Sequence, residues 1–98
     1  MKEVILSPCA LCDADQSREW YEKREAGLGY DFIHALDEAC SRISREPDSS
    51  RVVSGQIQRC MMRRFPFNII FEERDDCIWV YAVFHTSRNP EDLTKRIE

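Results

Sequence analysis

The eight residues Cys77-Ile78-Trp79-Val80-Tyr81-Ala82-Val83-Phe84 contain no charge, no proline and no glycine. They follow the polar turn Glu73-Arg74-Asp75-Asp76 and stop at His85. A short run rich in aromatic and β-branched residues between turn signals reads as a strand. It is apolar on both faces. Such a strand lies inside a sheet, or has helices on one face and a partner on the other. The rest of the chain must therefore supply strands to flank it and helices to cover it.

The segment just before provides flanking strands. Residues 56–65 ("QIQRCMMRRF") and 67–72 ("FNIIFE") are strand candidates joined at Pro66. With 77–84 they make a three-strand meander. The first half supplies the cover. Val4-Ile5-Leu6 is a short strand, and Ser7-Pro8 marks a helix N-cap with proline at the first helical position. Ala10, Ala14, Ser17, Trp20, Tyr21 and Arg24 then recur at helical spacing. Gly27-Leu28-Gly29 breaks this helix. Phe32, Ala35, Leu36, Ala39, Cys40 and Ile43 form the apolar stripe of a second helix, which Pro47 and Asp48-Ser49-Ser50 stop. The join is short, so the two helices form an antiparallel hairpin. Asn89-Pro90 opens a C-terminal helical turn. The expected fold is α+β, a helical hairpin on a mainly antiparallel sheet.

Length and composition agree with a single domain spanning residues 1–98. Charged residues make up 33% and hydrophobic residues 43%, ordinary globular usage that argues against disorder. No apolar run approaches the ~20 residues of a membrane helix. Val4-Ile5-Leu6 is shorter than a signal-peptide apolar region of roughly 7–15 residues. A cytosolic protein without a membrane partner is expected. The cysteines number five, so reduced thiols are expected and not a disulfide framework.

Net charge is −4, unevenly spread. Residues 1–49 carry 6 basic and 11 acidic side chains, and residues 50–98 carry 8 and 7. Arg51, Arg59, Arg63 and Arg64 fall between Ser49 and Phe71 with no acid among them. The whole-chain charge opposes strong nonspecific nucleic-acid binding, while this cationic band can hold one anionic group. Glu19, Glu22, Glu25, Asp37 and Glu38 are expected on solvated helix faces.

These motifs, in this order, resemble the RelE/ParE superfamily of toxins from type II toxin–antitoxin systems. "SPCALCDADQSREWYEKREAGLGYDFIHALDEACSRISREP" is similar to the first half of that family. "RRFPFNIIFE" resembles its Arg-Phe-Pro-Tyr junction, and "VYAVFHTSRNPED" its Ala-Val-x-His-x-x-Arg-x-Pro end. The chain departs from the pattern at Leu93, where many relatives place tryptophan. The resemblance implies a bacterial cytosolic toxin neutralised by a small antitoxin. The Trp-Tyr-Glu, Gly-Leu-Gly and His-x-x-Arg-x-Pro segments look more like the ParE-like, plasmid-stabilisation branch, which implies inhibition of DNA gyrase by binding. The RelE-like branch would instead imply messenger RNA cleavage on the ribosome. A relative that only binds its antitoxin is a third possibility.

Cleavage by 2′-hydroxyl attack needs a base, an acid and cations on the phosphate. The candidates are Arg64, His85 and Arg88, with Arg59 beside them. His85 belongs to the residue type that titrates near neutrality, and Arg64 or Arg88 can grip a phosphate through two bonds. The only lysines are Lys2, Lys23 and Lys95, none in the expected sheet. Against a nuclease stand that lack and the absence of a carboxylate in the arginine band. Trp20 and Tyr21 are adjacent on a helix, so one packs under the hairpin and the other is more exposed and able to anchor a partner. Met61 and Met62 point to opposite faces, one to the core and one to an adaptable surface. With Arg59 and Arg63, these are the candidate partner-binding residues. Cys9-x-x-Cys12 has no second pair to complete a zinc site, so neither metal nor cofactor is expected.

Overall fold

The computed structural model of the chain describes residues 1–97. The elements run β1 (Glu3–Leu6), α1 (Pro8–Arg24), α2 (Leu28–Arg45), a 3-10 turn (Pro47–Ser49), β2 (Arg51–Ser54), β3 (Ile57–Met61), β4 (Phe67–Glu73), β5 (Cys77–His85) and α3 (Pro90–Ile97). The sheet order is β1-β5-β4-β3-β2, with β1 parallel to β5 and the other pairs antiparallel. The fold is the α+β arrangement expected, with β5 inside the sheet.

Ser7 caps α1, its Oγ accepting from the Ala10 N–H at 3.1 Å, and Pro8 stands in the first turn. That position costs proline nothing, because the first helical amides lack intrahelical partners anyway. The buried face of α1 consists of Ala10, Asp13 and Ala14, small enough for close approach to the sheet. Phe32, Leu36, Ala39 and Ile43 of α2 form the deeper apolar stripe. They meet Ile69, Phe71, Ile78, Val80 and Val83 in the main core.

Several expectations need correction. Only Gly27, with φ at 90°, breaks the helical run, and Gly29 lies inside α2. Gly27 carries no side chain to cap α2. The cap comes from Glu22 on α1, whose carboxylate accepts from the Gly27 and Gly29 amides at 3.0 Å. Glu22 is thus a structural cap and not simply part of a solvated face. The expected strand 56–65 ends at Met61, because residues 62–66 form a tight connection with Arg64 at φ 74°. An additional edge strand, β2, pairs with β3. It escaped the sequence reading because it has four residues, all exposed, and therefore no apolar alternation.

The alternation along β5 breaks at Tyr81. Phe71 pairs with Val80 but Ile70 pairs with Ala82, so Tyr81 is an extra residue. Such a bulge shifts which side chains face each side. Ile78, Val80 and Val83 consequently face the helices, while Ala82 and Phe84 join Ile57 and Ile70 in a second cluster on the opposite, open face. Leu93 and Ile97 of α3 pack on that second cluster.

Candidate functional site

The open face is built in rows by strand register. Met61, Asn68 and Phe84 are neighbours across β3, β4 and β5. Arg51, Arg59, Ile70 and Ala82 form the next row. Because α3 covers only the β5 side, a groove of about 310 Å³ remains between α3 and β2–β3. Val53, Ile70, Pro90 and Leu93 give it an apolar lining, with Arg59 and Arg88 at its border.

The three catalytic candidates do not converge. His85 extends the row of Phe67 on the helix-facing side, its ring edge-on to Phe67 at 5.3 Å between centroids. Its Nδ1 lies 2.8 Å from the Ser87 hydroxyl and accepts from the Ser87 N–H at 3.0 Å. Arg88 goes to the other side. Its guanidinium lies 4.3 Å from the Phe84 ring centre and donates to Asp92 at 2.8 Å. Arg64 turns away to α2 and donates to Asp31 at 3.1 Å. His85 does border the groove along with Arg88 and Arg59. The arginine band is divided as well. Arg51 and Arg59 stand on the open face, whereas Arg63 and Arg64 approach Glu38 and Asp31 on α2.

Among the partner-binding candidates, Trp20 is 52% exposed and carries the Arg24 guanidinium 4.0 Å above its ring. Tyr21 packs inward, stacked on Phe32 and edge-on to Phe65. With Ser17, Phe67 and His85, these two aromatics line a small cleft of about 160 Å³. Met61 is 57% exposed on the open face. Met62 is a correction: at 4% exposure it belongs to the main core, where a partner cannot reach it.

The sequence reading missed the most connected polar group. Asp13, buried in α1, accepts from the Val83 N–H at 3.1 Å and from Arg96 Nη1 at 2.8 Å. Arg96 Nη1 also donates to the Tyr81 carbonyl at 3.1 Å. The bulge thus sends its displaced backbone groups to α1 and α3. The bond from Asp13 holds the Arg96 guanidinium above its ordinary pKa, with burial opposing it. No local spacing could reveal a pair 83 residues apart. Asn68 was missed too, and its Oδ1 is buried with no hydrogen-bond partner among the described residues.

Cys9 and Cys12 are exposed, Cys60 is buried, and burial pushes the Cys40 thiol up to about 12. Among the described residues, no three His, Cys, Asp or Glu side chains converge as metal ligands would. No helix among them is long and apolar enough to cross a membrane.

The fold has a solved counterpart. The chain matches a structure described as the chromosomal ParDE TA system from P. aeruginosa, with a TM-score of 0.72. The match covers 87% of this chain and 96% of that one at 13% identity. At that identity the likeness is one of fold. No protein-family model matches the sequence, and no curated protein does.

Proposed function

We propose that residues 1–98 form the toxin of a type II toxin–antitoxin system, a cytoplasmic growth inhibitor neutralised by a small antitoxin and acting by binding DNA gyrase. The fold likeness to a ParDE component supports the toxin reading. The observation that carries a binding mechanism is the separation of the candidate catalytic groups. The His85 ring packs on Phe67, the Arg88 guanidinium on Phe84 across the sheet, and Arg64 on Asp31. General acid and phosphate clamp must reach one reacting group together, and here they point apart.

One observation favours a second reading, a ribosome-dependent messenger RNA endonuclease. His85, Arg88 and Arg59 border the same groove. Inducing the chain in bacteria without antitoxin separates the two. The expected result is growth arrest with gyrase–DNA breaks, altered plasmid supercoiling and intact transcripts. Transcript cuts that disappear in His85→Ala would overturn gyrase binding in favour of the nuclease. Absence of growth arrest would overturn both and leave a non-toxic antitoxin-binding relative. A short neighbouring reading frame encoding a DNA-binding antitoxin is expected beside the gene.

A further inference from the structure

Cys9 and Cys12 stand exposed at the start of α1, outside the open-face groove and the aromatic cleft. A spacing of three puts two helical side chains on one face, with Cβ atoms about 5–6 Å apart. A disulfide needs about 3.8 Å. In a helix interior the hydrogen-bond ladder holds that gap open. At a helix start it does not, because the first amides have no intrahelical partners. Pro8 has no amide hydrogen, and the turn is pinned by bonds from the Ala10 amide to the Ser7 hydroxyl and from the Leu11 amide to the Ser7 carbonyl. Such a turn can tighten enough to close a ring between the two sulfurs.

The charges around Cys9 suit a nucleophilic sulfur. Thiols react as thiolates, a form that helix N-termini and nearby arginines promote. The first turn of α1 holds no acidic side chain. Arg96 on α3 is close enough to Cys9 for their charges to interact. Asp13, one turn along α1, is already matched by Arg96 and the Val83 N–H. The other thiols are placed differently. Cys60 is buried, burial pushes Cys40 up to about 12, and Cys77 is half-buried opposite Glu3 of β1.

We infer that Cys9 and Cys12 form a reversible exchange site for low-molecular-weight disulfides of the glutathione class, with Cys9 as the attacking sulfur and Cys12 as the resolving one. Cys9 Sγ attacks one sulfur of the reagent. The reagent's S–S bond breaks, a mixed disulfide forms on Cys9, and the first reagent thiol leaves with the Cys9 proton. Cys12 then loses its proton and attacks Cys9 Sγ. The ring closes and the second reagent thiol leaves. Two protein thiols are oxidised by two electrons, and one reagent disulfide is reduced to two thiols. Transient, redox-responsive disulfides of this kind are the ones a reducing compartment permits. The site does not depend on the toxin reading.

The test incubates the dilute, fully reduced chain with oxidised glutathione at neutral pH, and follows intact mass and a peptide map. Wild type should lose two hydrogens, with the bridge mapped to Cys9 and Cys12 and reversed by dithiothreitol. Cys12→Ser should stop at a glutathione adduct on Cys9. Cys9→Ser should form its adduct on Cys12 about threefold more slowly, the factor of a helix-end charge effect. In the Cys12→Ser background, Arg96→Gln should slow the adduct about twofold, the factor of a weak charge contact. Arg96→Lys, which keeps the charge, should retain the rate. In urea all five cysteines should react, showing that the selectivity belongs to the fold. A persistent mixed disulfide on wild type, a disulfide between two chains in place of the ring, or an adduct on Cys77 or Cys40 ahead of Cys9 would overturn the proposal. Equal rates for Cys9→Ser and Cys12→Ser would overturn the assignment of Cys9 as the attacking sulfur.

Discussion

Replacing Asp13 by alanine should destabilise the protein far more than a surface charge would. Asp13 has 9% side-chain exposure and Arg96 19%. The substitution strips the Val83 N–H of its acceptor inside the core. A buried donor left unpaired costs roughly 1–3 kcal/mol. Arg96 is near the chain end and can turn toward water, so losing its ion pair adds at most about 1 kcal/mol. The expected total is about 2–3 kcal/mol, a fall in Tm of roughly 10–20 °C for a domain this size. Asp13→Asn separates the two contributions, because its amide oxygen can still accept from Val83. It should cost only about 1 kcal/mol. Urea denaturation followed by tryptophan fluorescence, from Trp20 and Trp79 together, gives both values, and hydrogen exchange at the Val83 amide reports the bond directly. Equal losses for Asp13→Ala and Asp13→Asn would refute the reasoning, since the charge pair alone would then account for the effect. So would Val83 protection that survives Asp13→Ala.

Gly29→Ala places a Cβ 2.7 Å from the Arg18 carbonyl oxygen. Overpacking against backbone costs about 1–3 kcal/mol, so a lower urea midpoint is expected despite alanine's better helix propensity. Arg64→Gly relieves a left-handed backbone at φ 74° and loses an exposed ion pair to Asp31 and a cation–π contact of 5.4 Å to the Phe65 ring. It should be neutral or stabilising by up to about 1 kcal/mol, making it a folded variant in which any loss of growth arrest reports function. Burial raises the folded Cys40 thiol to about 12 from an ordinary 9.0, with Asp37 and Cys60 adding smaller contributions. The unfolded chain then releases this proton first. The contribution is intact below about pH 9 and is lost as pH rises toward 12, by up to about 1.4 kcal/mol per pH unit. Alkaline unfolding curves of wild type should therefore be steeper than those of Cys40→Ala, and parallel curves would contradict this.

Patterns within one element were legible in the sequence. The stripe Phe32, Leu36, Ala39 and Ile43, the cap at Ser7-Pro8 and the doubly apolar strand ending at His85 each follow from local spacing, because periodicity and capping act over a few residues. The expected division of Met61 and Met62 between surface and core is present, although β3 ends at Met61 and Met62 is buried from the connection that follows. What local spacing could not carry was register. The extra residue at Tyr81 moves Phe84 to the open face and His85 to the helix side, where its ring packs on Phe67 while the Arg88 guanidinium packs on Phe84. Glu22 becomes the cap of α2 only because α1 and α2 pack side by side. Asp13 finds Arg96 only because the bulge leaves backbone groups to be met. Local spacing was enough for the two long helices, their buried stripe and the strands with an apolar run, but not for the four-residue exposed strand β2. The tertiary structure decided which side chains share a surface, since that depends on strand register and helix docking over distances that local periodicity does not encode.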